Sequence, residues 1–232
     1  MELERIQQAL TEENIQGWLF YDFRQSNPIA YQVLSLPDGD LYTRRWFYFV
    51  PAQGMPTAII SAVESHVLSS LPGARRVFRT WQEMQIYLKE LLLPGMRVAM
   101  EYSPMNAIPY ISRVDGGTLD LVRSYGVEVV SSGNIAQRFS AQLSDEQIET
   151  HREAGRRLIA AKDTLFAELS DSLRTEAELD EYTVQQRFLT LLQQTGLVVK
   201  DLPHVAVNAN GSNPHYEPTA TNHSPIQRGD LI

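Results

Sequence analysis

Short apolar stretches alternate with amphipathic stretches from Leu3 to Ser131, and this alternation is the strongest constraint on the fold. Leu3, Ile6 and Leu10 fall on one stripe of a predicted helix, and the apolar stretch Gly17–Asp22 that follows predicts a strand. Further strands are predicted at residues 45–50, 57–62, 75–79, 97–102 and 127–131, and further helices at 81–93 and 118–125. Strands and helices that alternate in short units predict an α/β domain.

Turn-forming residues separate the predicted elements, because glycine, proline, asparagine and aspartate favour tight turns. They lie at Pro37–Gly39, Gln53–Gly54, Leu71–Gly73, Pro94–Gly95, Gly116–Gly117 and Ser132–Asn134. One predicted strand contains the aromatic run Trp46–Phe49. Since aromatic residues favour strands, we interpret this run as a buried strand, with a subunit interface as the alternative.

Two capping-box patterns mark helices in the second part of the chain. Ser144–Gln147 predicts the start of a long helix, because the serine and glutamine side chains can each satisfy a free backbone N–H. Its predicted stripe consists of Ile148, Arg152 or Gly155, Leu158 or Ile159, Lys162 and Phe166. Thr175–Glu178 predicts a second helix that ends at Gly196. The domain boundary is therefore predicted within residues 133–143, and we assign residues 1–138 and 139–232 to the two domains.

The composition excludes several classes of protein. The chain of 232 residues has 20 basic and 28 acidic residues and a net charge of -8, which argues against binding to nucleic acid or to anionic membranes. It has no cysteine, so disulfides, thiolate metal ligands and thiol nucleophiles are excluded, and a reducing cytoplasm fits. The first residues lack a signal-peptide pattern. The apolar runs are shorter than the roughly 20 residues of a membrane-spanning helix. We expect a cytoplasmic protein.

The segment from His204 to Ile232 has the composition of a binding or catalytic loop. The apolar run Val205–Val207 predicts a buried strand, and the polar residues after it predict a loop that carries side chains into a cleft. His215 is the main candidate in this loop, because histidine exchanges a proton near neutral pH; surface hydrogen bonding is the simpler alternative. Gly229–Asp230 predicts a turn and Leu231–Ile232 the start of an unpaired strand. We therefore expect this chain to be the front part of a longer protein.

The order of these motifs resembles a known family of hydrolases. The motifs are Arg97–Glu101, Leu143–Ile148, Arg174–Leu179, Asn213–Tyr216 and Gly229–Asp230. Together they resemble the Xaa-Pro aminopeptidases, prolidases, methionine aminopeptidases and creatinases, which share the pita-bread catalytic fold. The resemblance implies a creatinase-type N-terminal α/β domain followed by the first, incomplete part of a pita-bread catalytic domain. The two-domain layout favours the proline-specific peptidases and creatinases.

The resemblance also implies an activity and a site. It implies an Xaa-Pro aminopeptidase that cleaves the bond before a proline at the second position of a peptide substrate. It implies that His215 lies beside the scissile bond and that Tyr216 and Asn213 shape the substrate site, although turn chemistry also explains Asn213 followed by proline. Two divalent metal ions, expected to be manganese, and a homodimer are implied for the full-length enzyme. The metal ligands are expected after Ile232, so we expect this chain alone to be inactive.

Other interpretations stay open. The same fold could support a creatinase-like C–N hydrolase that works without metal, or a non-catalytic binding module. A metal site of His204, His215 and His223 is disfavoured, because their spacing matches no established ligand pattern. The acidic residues at predicted helix starts are interpreted as partners of the helix dipole. They are Asp145, Glu146, Glu176 and Glu178.

Overall fold

The computed structural model describes residues 1–37, 42–175 and 178–232. The chain divides into two compact units, Met1–Gln142 and Leu143–Ile232. In the described ranges no helix is long and apolar enough to cross a membrane. Most of the predicted turn Pro37–Gly39 lies outside the described residues, as do Glu176 and Ala177 of the second predicted capping box. The assignment of residues 1–138 and 139–232 to two domains stays a prediction.

A six-stranded mixed sheet forms the centre of the first unit. Its strands are β1 (Gly17–Asp22), β2 (Trp46–Pro51), β3 (Thr57–Ser61), β4 (Ala74–Phe78), β5 (Arg97–Met100) and β6 (Glu128–Ser131). They lie in the order β4-β3-β2-β1-β5-β6. β2 runs antiparallel to β1 and β3, whereas the other neighbouring pairs are parallel. The predicted α/β class is therefore confirmed.

Helices cover both faces of this sheet. They are α1 (Leu3–Glu12), α2 (Pro28–Leu34), α3 (Trp81–Leu91), α4 (Gly116–Ser124) and α5 (Gly133–Ser140). Side chains alternate between the two faces of a strand. Trp18 and Phe20 of β1 accordingly join the apolar core of α1, α2 and α5, whereas Leu19 and Tyr21 join that of α3 and α4. All of β1 is buried because helices cover it on both sides.

The predicted strands agree closely with the structure. All six are present, and their ends differ from the predicted ends by at most two residues. The aromatic run Trp46–Phe49 is buried in β2, as predicted. Helix α2 (Pro28–Leu34) was not predicted. Proline is favourable in a first helical turn, and Asn27 caps α2 by accepting a hydrogen bond from the N–H of Ala30 at 3.1 Å.

Two predicted turns are instead the starts of helices. Gly116–Gly117 begins α4, where the Asp115 carboxylate accepts a hydrogen bond from the N–H of Thr118 at 2.9 Å. Ser132–Asn134 begins α5, and a Cβ atom on Gly133 would lie 2.8 Å from Cδ1 of Ile111. Aspartate, serine and glycine serve both turns and helix starts, so the local sequence did not distinguish the two.

A buried carboxyl group joins three elements to the end of β5. Glu101 is fully buried and accepts hydrogen bonds from Trp18 Nε1 at 2.6 Å, Asn27 Nδ2 at 2.7 Å and Ser132 Oγ at 3.3 Å. Trp18 belongs to β1, and Asn27 and Ser132 are the N-cap residues of α2 and α5. Burial raises the pKa of Glu101 to about 7, and the hydrogen bonds oppose this shift only in part.

The raised pKa of Glu101 predicts that its contribution to stability is lost as the pH rises. The folded protein binds this proton more tightly than the unfolded chain, in which the pKa has its ordinary value of 4.5. The contribution is therefore complete below the ordinary pKa and is lost as the pH rises through about 7. A pKa shift of this size corresponds to a contribution of Glu101 to the free energy of unfolding on the order of 3 kcal/mol.

We expect Glu101→Gln to remove this part of the pH dependence, because the amide does not ionise. The measurement is urea denaturation at about pH 5 and about pH 8, at the two ends of the titration. Glu128→Gln changes an exposed glutamate of β6 and is the matched control. If the stability of wild type and Glu101→Gln changes with pH in parallel, the prediction is wrong.

The second unit contains two longer helices, α6 (Asp145–Arg174) and α7 (Glu181–Gln194). The predicted capping box of α6 is confirmed. Ser144 Oγ accepts a hydrogen bond from Gln147 N at 3.1 Å, and Gln147 Oε1 accepts one from Ser144 N at 2.8 Å. Asp145 and Glu146 lie in the first turn, where the helix dipole favours their charge.

The predicted apolar stripe of α6 is wrong. The buried residues of α6 are Ala161, Leu165 and Leu169, which pack in one core with α7. The apolar residues Leu158, Ile159 and Phe166 of the predicted stripe are all exposed. The helix carries apolar residues on more than one stripe. The small side chain of Ala161 suits a close approach of two helices, because side-chain size at the contact sets the interaxial distance.

The predicted start of α7 is also wrong. Thr175 is the C-cap residue of α6, and α7 begins only at Glu181. Asp180 is its N-cap residue, with carboxylate oxygens that accept hydrogen bonds from the N–H and the hydroxyl group of Thr183, each at 2.8 Å. This cap stabilises the later start. Glu178 consequently lies outside the helix and not in its first turn.

The predicted strand Val205–Val207 is not part of a sheet among the described residues. Val205 and Val207 are buried in the core of the second unit, but the N–H of Val207 donates to a side chain of α7. Leu231–Ile232 is likewise not assigned as a strand, and the Leu231 carbonyl accepts a hydrogen bond from Asn208 N at 2.9 Å. The predicted turn at Gly229–Asp230 is confirmed by a hydrogen bond from Asp230 N to Gln227 O at 3.2 Å.

Candidate functional site

The carboxylate of Glu181, the first residue of α7, is the centre of the candidate site. It is fully buried. Oε1 accepts hydrogen bonds from Val207 N at 2.6 Å and Asn210 Nδ2 at 2.9 Å. Oε2 accepts hydrogen bonds from Tyr216 Oη at 2.5 Å and Ser224 N at 2.7 Å. An ionised carboxylate has about four acceptor positions, so these donors occupy all of them.

The surroundings of Glu181 keep it ionised. Burial alone would raise its pKa, but the hydrogen bonds from Tyr216, Asn210, Ser224 and Val207 together hold the pKa below its usual value. The N-terminus of α7 also favours a negative charge. Conversely, the hydrogen bond to the charged Glu181 raises the pKa of the Tyr216 phenol to about 12. Glu181 is therefore a fixed acceptor and does not have a lone pair free to act as a general base.

Backbone hydrogen bonds bring a third segment to this carboxylate. Glu181 N donates to Ser224 O at 3.1 Å, and Ile226 N donates to Leu179 O at 2.8 Å. The side chain of Asn210 also donates to Ser224 Oγ at 3.0 Å. The start of α7, the loop after Val207 and the segment around Ser224 thus meet at one charged group.

The structure places the predicted site residues Asn213, His215 and Tyr216 in one turn. The Asn213 carbonyl accepts a hydrogen bond from Tyr216 N at 3.0 Å, and Asn213 Oδ1 accepts one from His215 N at 3.0 Å. Pro214 follows the first residue of this turn, a position that suits its fixed φ. His215 and Asn213 are exposed, and Tyr216 is half-buried. Their roles toward a substrate stay predictions.

A second polar cluster holds the beginning of the same loop. Asn208 Nδ2 donates to Asp230 Oδ1 at 2.7 Å, and Leu231 N donates to Asn208 Oδ1 at 3.1 Å. The other oxygen of Asp230 accepts from Gln227 N at 2.7 Å. Asn208 has a φ of 50°, in the left-handed region that asparagine tolerates better than most residues. Asp230 therefore stabilises both its own turn and the loop that carries His215.

The histidines do not converge on a metal site. His223 Nδ1 lies 2.8 Å from the Thr219 carbonyl oxygen, and its ring stacks on Tyr182. Across the described ranges, no group of three or more His, Asp or Glu side chains could hold a metal ion. Because hydrogen-bond donors also saturate Glu181, the described residues do not fit a resident metal, and no metal-dependent step is assigned to them.

Glu181, Asn210 and Ser224 were not predicted as site residues. A glutamate in a first helical turn has an ordinary explanation as a partner of the helix dipole. Its donors follow 26 to 43 positions later in the chain, so no local pattern connects them. The one signal in the sequence was the group Asn208, Asn210 and Asn213. A single turn does not need three side-chain amides, so this group indicates further hydrogen bonds from the loop.

No family model matches the sequence, and no curated protein is similar to it in sequence. Solved structures are similar in fold. The dipeptidase PepE from Mycobacterium ulcerans has a TM-score of 0.59 at 17% identity, over 98% of this chain and 57% of that chain. A dipeptidase from Pyrococcus horikoshii OT3 has a TM-score of 0.57 at 18% identity, over 99% of this chain and 59% of that chain. A prolidase from Thermococcus sibiricus has a TM-score of 0.55 at 16% identity, over 98% and 58%.

This chain has the prolidase fold. The likeness extends over 98% to 99% of its residues, so the predicted resemblance is confirmed at the level of the fold. The chain spans 57% to 59% of the length of these solved structures. Within this fold, the His215 N–H donates to Asn213 in an exposed turn, and the carboxylate of Glu181 holds the neighbouring Tyr216.

The lowered pKa of Glu181 predicts that the second unit loses stability in acid. A folded-state pKa below the ordinary value of 4.5 gives a contribution that is present above this value and is lost as the pH falls through the lower, folded-state pKa. We expect Glu181→Gln to be much less stable than wild type at neutral pH and this difference to narrow in acid. Thermal denaturation over a pH series measures it. A difference that is constant with pH would contradict the prediction.

Proposed function

We propose that this chain belongs to a proline-specific peptidase that cleaves the bond before a proline, with the specificity of an Xaa-Pro aminopeptidase. The observation that carries the proposal is the exposed His215 on a turn that Glu181 fixes through Tyr216, in a chain with the prolidase fold. The solved structures of similar fold include a protein named Xaa-Pro dipeptidase from Bacillus anthracis, with a TM-score of 0.53 at 15% identity.

The role proposed for His215 follows from the chemistry of the substrate. A peptide bond before proline has no N–H, so its carbonyl oxygen is the polar atom that a protein donor can reach. The imidazole of His215 is exposed and can donate a hydrogen bond to that oxygen. Such a donor stabilises the negative charge that develops when the amide is attacked. Tyr216 donates to Glu181 and is proposed to shape the pocket together with Asn213.

The remainder of the catalytic machinery is proposed for the whole protein. Two divalent metal ions, with manganese as the first choice, would supply an activated water as the nucleophile. We further propose that the whole protein is a cytoplasmic homodimer. The second unit contributes the turn with His215 and the Glu181 carboxylate, which holds the neighbouring Tyr216.

The proposal is tested by hydrolysis of an Xaa-Pro dipeptide and an Xaa-Pro-Xaa tripeptide, with and without added manganese. Both the 232-residue chain and the protein extended through its native downstream sequence are assayed. We expect activity only in the extended protein, with preference for the tripeptide. We expect His215→Ala to lower kcat by about 100-fold or more, the usual effect of removing a donor to developing charge.

His151→Ala is the matched control, because His151 is an exposed histidine of α6 outside the loop. It should leave the kinetics unchanged. Dipeptide preference would favour a dipeptidase over an aminopeptidase. Inactivity of a folded, manganese-loaded extended protein toward both peptides would overturn the proposal and favour a creatinase-like hydrolase or a binding module.

A further inference from the structure

One carboxylate holds both ends of a seven-residue segment of the loop, residues 210–216. Glu181 Oε1 accepts a hydrogen bond from the side chain of Asn210 at 2.9 Å, and Oε2 accepts one from the hydroxyl group of Tyr216 at 2.5 Å. His215 lies inside this segment, next to Tyr216. Because each end is attached to the same buried charge, the segment cannot shift without breaking a hydrogen bond to an ionised group.

The inside of the segment has few attachments of its own. The turn is closed by the hydrogen bonds of Tyr216 N and His215 N to Asn213, and Asn213 and His215 are exposed. Hydrogen bonds between neutral groups contribute little net stability, whereas those to charged groups are stronger. The hydrogen bonds to Glu181 are therefore the main constraint on where the turn sits.

We propose that Glu181 is a positioning residue, which orients the His215 imidazole toward the substrate through its hydrogen bond to the Tyr216 hydroxyl group. The proposal deepens the proposed peptidase function and rests on it. Glu181 does not touch the substrate in this scheme, because protein donors occupy both its oxygens. It acts through Tyr216, whose backbone adjoins His215.

Two substitutions separate positioning from stability. Tyr216→Phe removes one of the four donors to Glu181 and leaves Val207 N, Asn210 Nδ2 and Ser224 N in place. In Glu181→Gln, the new amide nitrogen is best placed at the Oε2 position, because the atoms that face Oε1, Val207 N and Asn210 Nδ2, are both donors. There the Tyr216 hydroxyl group can reverse its role and accept, but Ser224 N loses its acceptor. Glu181→Gln should therefore be the less stable variant and still hold Tyr216.

The first measurement is kinetics of the extended, manganese-loaded protein on the tripeptide. We expect Tyr216→Phe to lower kcat by about 10- to 100-fold, because misplacement of a catalytic group costs this much, with a smaller change in KM. We expect Glu181→Gln to melt at a lower temperature than Tyr216→Phe but to keep more of kcat. Thr183→Val is the control, because it removes a hydroxyl donor to Asp180 in the same helical turn without touching the loop.

The second measurement does not depend on activity. Selective ¹³C labelling of histidine reports the order of the His215 ring by NMR relaxation in the extended protein prepared without manganese, because paramagnetic Mn²⁺ broadens nearby signals. We expect a rigid ring in wild type and Thr183→Val, a less ordered ring in Glu181→Gln, where the hydrogen bond to Tyr216 joins two neutral groups, and the most mobile ring in Tyr216→Phe, with the order parameter falling below about 0.6. This result would support positioning even if the tripeptide is not hydrolysed, in which case only the proposed function fails.

Two results would overturn the inference. One is a His215 ring that is equally ordered in wild type and Tyr216→Phe. The other is a loss of kcat that follows melting temperature across Tyr216→Phe, Glu181→Gln and Thr183→Val, as a purely structural role requires. In either case Glu181 would serve the stability of the second unit alone.

Discussion

The buried charge of Glu181 is the interaction on which the second unit depends. A carboxylate without partners would be strongly disfavoured in this position, because burial removes it from water. Donors from the loop after Val207, from Tyr216 and from Ser224 replace the lost water, and each donor comes from a segment without a regular strand of its own. The irregular part of this unit is therefore organised around one anion at the start of α7 and not around a strand ladder.

The two buried glutamates show how the number and strength of donors decide the state of a carboxyl group. Glu101 has hydrogen bonds from Trp18, Asn27 and Ser132, the last of them long at 3.3 Å, and burial raises its pKa to about 7. Glu181 has four donors at 2.9 Å or less, and they hold its pKa below the usual value despite burial. The buried carboxyl group of the first unit, Glu101, is thus readily protonated, whereas that of the second unit, Glu181, stays charged.

Sequence reasoning succeeded where the signal is local. The strands of the first unit follow from apolar runs bounded by turn residues, and the capping box at Ser144 follows from a four-residue pattern. It failed where distant residues decide. Val205 and Val207 are buried as predicted for a strand, but the N–H of Val207 donates to Glu181 instead of to a neighbouring strand. Packing against α7 likewise selected the Ala161 stripe of α6 over the predicted one.

The candidate site was likewise predictable only in part. The turn with Asn213 and His215 was predictable from the sequence, because asparagine followed by proline is typical of a turn. The carboxylate that holds it was not visible, since Glu181 precedes Tyr216 by 35 positions. Composition can therefore locate an exposed functional loop, but the group that fixes the loop is found only when the chain is folded.

The free-energy cost of ordering the backbone explains why such a turn needs hydrogen bonds to a group outside it. Ordering the backbone of each residue costs about 1–2 kcal/mol. A neutral hydrogen bond contributes only about 1 kcal/mol. The hydrogen bonds that close the turn on Asn213 are therefore too few to order the four residues Asn213–Tyr216 by themselves. Hydrogen bonds to a charged group contribute about 1.5–3 kcal/mol each, and Glu181 supplies them at Asn210 and Tyr216. An exposed histidine can thus be held in one place without being buried itself.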